Sequence, residues 1–438
     1  MSEAREKKSS VGPNEAAWKK LFEHFDILRQ IEANGRFQIS AKQIKAVGNR
    51  EPRLMAKFDH TFNLPRIFEK NKLAILPVTR GDYVISHFDA YHKFESADGP
   101  ITRFSLPSYV QSLDASNIPS ESIALNCAIA TGIVADFLDD EALVPTVSGR
   151  MGSGSFAFDI GNVVRGIPEQ LQVNNSQIEI DAAYEGLKGL ALFEAKSGWS
   201  EDFIIRQLYY PFRVWSSRVG KTVRPIFLVY FNGIYRLYEY AFQNPNSYSS
   251  LILVKQKSYA IEEDTRIERG DIDHILQTVQ PAQEPDNIPF PQADSFERVI
   301  SLCEMLNGQE LSNKEITDEF AFAERQTGYY TNAALYLGLV QKRRDGITPL
   351  YSLSEAGRKL LGMKYKRRQL ELCRRILSHK AFSDTLRMYF QNGNMPAENE
   401  IVQIMLNSNV QRMSGSTPGR RSSSIRGWLY WILELMNA

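Results

Sequence analysis

The chain has 438 residues, 43% of them hydrophobic and 24% charged, with a formal net charge of +1. That composition excludes intrinsic disorder as the main state, and the length predicts two to four domains at roughly 100–200 residues each. With no global charge to point at a partner, any nucleic-acid surface has to come from local clustering. The three cysteines (Cys127, Cys303, Cys373) lie far apart, which suggests neither a disulfide framework nor a cysteine-rich zinc site. The longest apolar stretch, near Ile123 to Leu138, is interrupted by Asn126, Thr131, Gly132 and Asp136 and is too short and polar to span a bilayer. MSEAREKKSS is followed by no apolar run of the secretion type. The expectation is a reduced, cytoplasmic protein without membrane contact.

In chain order, residues 15–32 place Trp18, Leu21, Phe22, Phe25 and Leu28 at helical spacing. Ser40 is placed to cap a helix beginning AKQIKAV. LAILPV and DYVIS read as strands around the turn Thr79-Arg80-Gly81-Asp82. The basic residues Lys42, Lys45, Arg50, Arg53, Lys57 and Arg66 fit a solvated face, with DNA contact as the alternative. These segments define a mixed α/β unit over 1–120, a candidate for DNA recognition.

The block 121–277 carries the strongest strand signals: SFAFDI (155–160), QIEIDAAYEG (177–186) and LALFEAKSG (190–198). Gly149 to Ser155 before them reads as a small-residue loop in which Arg150 could approach a phosphate; it lacks the GK[ST] ending of a nucleotide P-loop. A helix is expected from Ser200, a good N-cap residue followed by Glu201 and Asp202. RPIFLVYF, Asn232-Gly233 and IYRLYEYAF then form a hairpin signal. Strands interleaved with a helix predict a mixed α+β sheet flanked by helices. Prolines 281, 285, 289 and 291 mark residues 278–294 as a linker.

The chemistry sits on two of these strands. Alternation puts Glu179 and Asp181 opposite Ile178 and Ile180, and Glu194 and Lys196 opposite Phe193 and Ala195. Adjacent strands lie roughly 5 Å apart, so Asp181, Glu194 and Lys196 can converge. Two carboxylates that close repel unless a cation sits between them, and Mg²⁺ is the natural filler for hard oxygen ligands. The competing reading is a surface salt bridge between neighbouring strands.

The order strand–Asp181, strand–Glu194-x-Lys196, helix resembles the PD-(D/E)xK nuclease superfamily. Ile180 stands where the nominal motif has proline. The resemblance implies a restriction-endonuclease-like core and Mg²⁺-dependent phosphodiester hydrolysis, with Asp181 and Glu194 as metal ligands and Lys196 as the catalytic lysine. Some branches add an acid from an upstream helix; Glu121, Asp136 and Glu141 are available, and the sequence does not choose. In the following helix Phe203, Gln207 and Tyr210 share a stripe, Pro211 is expected to kink it, and Gln207, Arg206 and Arg213 are candidate DNA contacts.

Residues 295–365 read as a winged helix. Its third helix offers Arg325, Gln326 and Tyr329, and its wing Lys342, Arg343 and Arg344. Between Gln341 and Arg375 there are 11 Lys or Arg against three acids, the footprint expected for nucleic acid. Residues 366–438 suggest a second helix-turn-helix-like unit, with Arg420 and Arg421 toward phosphate and Trp428 and Trp431 in its core. HFDAYH, with His87 and His92, matches no metallonuclease or zinc-protease spacing and reads as structural.

Together these pieces resemble a type II restriction endonuclease acting on double-stranded DNA as a homodimer, with a cognate DNA methyltransferase as functional partner. EPRLMAKFDHTFNLPRIFEKNKLAILPVTRGDYVI also resembles the N-terminal part of such enzymes. The alternatives are a modification-dependent or repair nuclease of the same fold, and a non-catalytic DNA-binding regulator.

Overall fold

A computed structural model of the chain describes residues 13–96, 99–115, 117–261, 266–320, 324–346, 348–408, 410 and 417–436, with the side chains of 318–320, 324, 325, 417 and 418 left aside. The fold is mixed α/β, built on one large mixed sheet and ending in a helical C-terminal region.

The N-terminal helix predicted over 15–32 is two helices, Pro13–Phe25 and Ile27–Asn34. Asp26 between them adopts φ 46°, a left-handed conformation that Asp tolerates better than most residues and that breaks the helix. Trp18, Phe22 and Phe68 pack edge to face as the heart of this unit. Ser40 caps Ala41–Gly48, as the sequence predicted, and Gln43 completes a reciprocal capping box. Strands Phe37–Ser40, Asp82–Ser86 and Ala74–Pro77 close the unit as a three-stranded antiparallel sheet.

The central sheet has seven strands, in the spatial order Thr102–Arg103, Leu251–Ala260, Ile234–Phe242, Thr222–Phe231, Gly189–Ser197, Gln177–Glu185, Val144–Gly152. Gly189–Ser197 lies antiparallel to Gln177–Glu185 and parallel to Thr222–Phe231. A parallel neighbour needs a crossover, and the helix Arg206–Ser216 supplies it, burying Leu208 and Phe212. Gly189 through Ala195 are all buried, as expected of a strand covered on both faces. Leu190 and Leu192 point into the cluster under Arg206–Ser216. Phe193 and Ala195 point into the opposite cluster, with Cys127 and Phe137 from the helices Glu121–Ala130 and Ile133–Leu138. Asn232 and Gly233, both at positive φ, turn the predicted hairpin.

Three expectations change here. The segment read as a loop before Ser155 is mostly the edge strand Val144–Gly152, accommodated by Gly149 at φ 91°. Ser155–Ile160 does not join the large sheet; it pairs with Glu169–Asn174 as a separate ribbon. Its buried Phe158 and Ile160 alternate with exposed neighbours, so one face is enough to dock it. No helix begins at Ser200: Asp202–Ile204 is a short strand on Tyr91–Lys93, and the helix starts at Arg206. Pro211 lies within that helix, which continues to Ser216.

Residues 279–294 form neither helix nor strand, as the prolines dictate, but they are held down. Phe290 stacks on Phe382, and the Trp428 indole N–H donates to the Ala293 carbonyl at 2.7 Å. The C-terminal region opens with helices Phe296–Met305, Asn313–Phe320 and Glu324–Tyr336 and a three-stranded sheet of Leu311–Ser312, Thr348–Leu353 and Val340–Asp345. Helices Glu355–Leu361, Tyr365–Leu377, Lys380–Asn392, Glu398–Asn407 and Thr417–Leu435 complete it. Trp428 and Trp431 are buried, as predicted. This region docks on the central hairpin through paired amides of Asn232 and Gln369, 2.9 Å in each direction.

The final helix runs so close to the linker that a Cβ on Gly427 would lie 2.0 Å from the Asp294 carbonyl oxygen. Gly427→Ala is therefore expected to destabilise the protein by about 1–3 kcal/mol through overpacking, read as a lower urea midpoint with an unchanged m-value.

Candidate functional site

The site forms where Gln177–Glu185 and Gly189–Ser197 part. Their ladder ends at Phe193 opposite Ala182. On the outer side, Val147 faces Ala183 but Gly149 faces Ile180, so the inner strand carries one extra residue at Asp181-Ala182. Such bulges re-aim a side chain. The consequence is that Ile178, Ile180 and Ala183 share one cluster while Ala182 lies against the other, a change of parity that simple alternation does not foresee. Asp181 turns to its neighbour, where its Oδ2 accepts the Ala195 backbone N–H at 2.8 Å.

Glu194 is 7% exposed. Its Oε1 accepts hydrogen bonds from the Lys196 ammonium and from the Gln207 side-chain amide. Burial, reinforced by the Asp181 charge, pushes its carboxyl up to about 7, with Lys196 opposing. Burial alone would lower the Lys196 ammonium, but Glu194, then Glu121 and Asp59, hold it above the ordinary lysine value. Glu121 lies in the first turn of its helix behind the Ser120 cap, with Oε1 4.0 Å from Lys196 Nζ. Its carboxyl is also raised, first by burial and then by Asp181, against the pull of Lys196. Among the three upstream acids the structure selects Glu121. Asp136 is instead engaged by Lys257 at 2.6 Å and Tyr259 at 2.7 Å, and Glu141 is exposed.

The sequence reading missed Asp59. This buried acid comes from the N-terminal unit, lies 3.7 Å from both Arg206 and Lys57, and acts electrostatically on Glu194 and Lys196. His60 next to it bonds the Asp202 carbonyl and, at 2.7 Å, the Ser200 hydroxyl. No periodicity marks Phe58-Asp59-His60, so nothing in the local sequence announces the contact.

The site thus places three carboxylates and one ammonium at a strand end, with a glutamine fixing one carboxylate. Asp181, Glu194 and the backbone oxygen of Ala195 are hard oxygen donors suited to a divalent cation that keeps several waters. Among the described residues no three His, Cys, Asp or Glu side chains are gathered as a ready-made metal cage.

The predicted DNA contacts fall into three groups. Gln207 belongs to the site itself, and Arg206 borders it through Asp59. On the surface lie Arg150, paired with Glu179 at 3.1 Å, and the exposed Gln326, Lys342, Arg344 and Arg420. Arg343 is also exposed, with its Nε 2.7 and 2.9 Å from the Glu310 carboxylate; Tyr329 is half-buried. The Arg325 side chain lies outside the described residues. Two assignments are corrected. Arg213 is tied to the carbonyls of Ala157 and Pro245 and to the Tyr209 hydroxyl, so it knits the core. Arg421 is buried, and burial lowers its guanidinium below the ordinary value; it lies on the same helical stripe as Ile425 and Trp428 and does not reach a phosphate. Tyr210, on the predicted stripe with Gln207, is buried with its hydroxyl on the Pro77 carbonyl at 2.9 Å.

Residues 15–85, 86–260 and 298–437 are similar to three family models, described as Domain of unknown function (DUF6996), Domain of unknown function (DUF6997) and Domain of unknown function (DUF7226). The second contains Asp181, Glu194 and Lys196, and the third covers the helical C-terminal region from residue 298 onward. No curated protein and no solved structure matches the chain. No helix among the described residues is long and apolar enough to cross a membrane.

Lys196→Met removes the one cation shared by Glu194 and Glu121. The expected result is a loss of about 3–5 kcal/mol of stability, because the buried Glu194 carboxylate is left without a charge partner, measured by chemical unfolding in metal-free buffer.

Proposed function

We propose that the chain is a Mg²⁺-dependent type II restriction endonuclease, hydrolysing phosphodiester bonds at specific sites in double-stranded DNA. The observation that carries this reading is the meeting of Asp181, Glu194, Lys196, Gln207 and Glu121 at the ends of two adjacent strands. Burying a carboxylate to this depth costs desolvation, and carboxyls raised by burial beside a charged partner cluster at functional sites. The sequence of helix 121–130, strands 144–152, 177–185 and 189–197, helix 206–216 and parallel strand 222–231 is compatible with a PD-(D/E)xK core.

In this reading Asp181 and Glu194 hold Mg²⁺, with the Ala195 carbonyl as a third oxygen. The ion when bound supplies Lewis acidity and a water acidic enough to attack at neutral pH. Lys196 would orient the attacking water and offset charge developing on the phosphoryl oxygens. Gln207 fixes the Glu194 carboxylate, and Glu121 sets the position of the Lys196 ammonium. The four helices and three strands of 296–361 act as a winged helix, with Lys342 to Arg344 on the DNA backbone and Gln326 and Tyr329 toward the groove. Two copies of the chain cut the two strands, in the cytoplasm, beside a methyltransferase that protects host DNA.

Two experiments test the reading. Purified protein with phage DNA and Mg²⁺ is expected to give discrete fragments on a gel. Asp181→Asn, Glu194→Gln and Lys196→Ala should each retain DNA binding and lose cutting by 10²–10³-fold or more, on the order of the effect of removing one charge-stabilising group. No cutting by the unmutated protein would reduce it to a DNA-binding regulator, undiminished cutting by all three variants would place the catalytic centre elsewhere, and a smear in place of fragments would favour repair. Separately, Lys342→Ala, Arg343→Ala and Arg344→Ala should each weaken binding to all sequences alike and lower the slope of log K against log salt by about one.

A further inference from the structure

Beside the Lys196 site the sheet continues as the floor of a cleft of about 750 Å³. The strand register makes the connection. Lys196 pairs with Val229, Val229 with Arg236, and Arg236 with Ser258. Cross-strand partners project from one face. With strands about 4.8 Å apart, Arg236 stands about 10 Å across the sheet from Lys196. Val229, Arg236 and Ser258 all line the cleft.

Arg236 is half-buried, and among the described residues it makes no ion pair and no hydrogen bond. A guanidinium carried on a sheet floor in that condition is poised for an anion. Lys93 adds a second cation to the same lining. The facing wall, from the C-terminal region, contributes the acids Glu297 and Glu434, while Glu95 and Glu201, also in the lining, are engaged by Tyr240 and by Arg298. Trp199 stands on the loop directly after Lys196 and Ser197 and also lines the space. An arginine on the floor with a lysine on the neighbouring ribbon, carboxylates on the wall and an indole at the side match the three parts of a nucleotide: a phosphate, the amino edge of a base, and an aromatic ring to stack. The volume lies in the range of small-ligand sites, roughly 300–1,000 Å³, and a duplex does not fit.

We propose that this cleft binds a single unpaired nucleotide, with Arg236 on its phosphate, Trp199 against its base, and Glu297 or Glu434 accepting from its amino edge. The nucleotide comes either from the DNA strand lying across Lys196, extruded from its stack at the usual cost of a few kcal/mol, or from the free pool. Only the first source rests on the nuclease reading.

The test titrates the full-length protein in Mg²⁺-free buffer with dAMP, dCMP and a single-stranded oligonucleotide, following tryptophan fluorescence; Trp199 and Trp431 both line the cleft. Saturable quenching is expected, weakened at least tenfold by Arg236→Ala and largely restored by Arg236→Lys. Ser258→Trp, which fills the cleft while leaving Arg236 in place, should abolish it as well. Quenching by mononucleotides identifies the free pool, and quenching by the strand alone identifies DNA; either supports the site. No saturable change with any nucleotide, or full binding by both Arg236→Ala and Ser258→Trp, overturns it. Because no cutting occurs without Mg²⁺, the outcomes separate. Quenching in a protein that never cuts keeps the pocket and removes the nuclease, and cutting without quenching does the reverse.

Discussion

The ion pair of Glu194 and Lys196 governs the centre of this molecule. A strand covered by helices on both faces carries apolar residues down to Ala195, and then a carboxylate and an ammonium within two positions. Neither charge is stable alone at that depth. Each is held by the other: burial, reinforced by Asp181 and Asp59, keeps the Glu194 carboxyl high, and Glu194, Glu121 and Asp59 keep the lysine charged. A group of acids that outnumbers its cations in a buried place has room, electrostatically, for one more positive ion.

The remainder of the fold positions those groups. The parallel pairing with Thr222–Phe231 fixes the height of Lys196 and lays out the row through Val229 to Arg236. The bulge at Asp181 brings one acid in, the helix cap at Ser120 a second, and the N-terminal unit a third. The C-terminal region reaches the same place. Arg298 lies 3.3 Å from Glu201 on the loop after the lysine and sits over the rings of Phe62, Trp199 and Tyr330. That one side chain touches all three parts of the chain, so the elements proposed to grip DNA and to cut it are in direct contact.

Much of this was legible in the sequence, for definite reasons. Alternation over an apolar run exposes Glu194 and Lys196 as the exceptions. Asn232-Gly233 names its own turn, and Ser40 names its own cap. Other features depend on contacts between residues far apart in the chain. Val144–Gly152 looks like a loop because its glycines hide an edge strand, and Asp202–Ile204 looks like a helix start because Ser200 and its acids suit a cap. In fact Ser200 spends its hydroxyl on His60 and the Asp202 carbonyl. Asp59 carries no local pattern at all. Arg421 is different: its spacing from Ile425 and Trp428 already puts it on the buried stripe of a helix, and that sign was outweighed by the cluster of basic residues around it.

The central claim is that the surplus of carboxylates at the strand end receives a divalent ion. The most direct measurement is anomalous diffraction from crystals grown with Mn²⁺ in place of Mg²⁺. A single strong peak in contact with one oxygen each of Asp181 and Glu194, with Lys196 moved off the Glu194 carboxylate, is the predicted result. Crystals at high Mn²⁺ that show no peak there, and the Lys196–Glu194 pair still closed, would contradict the account.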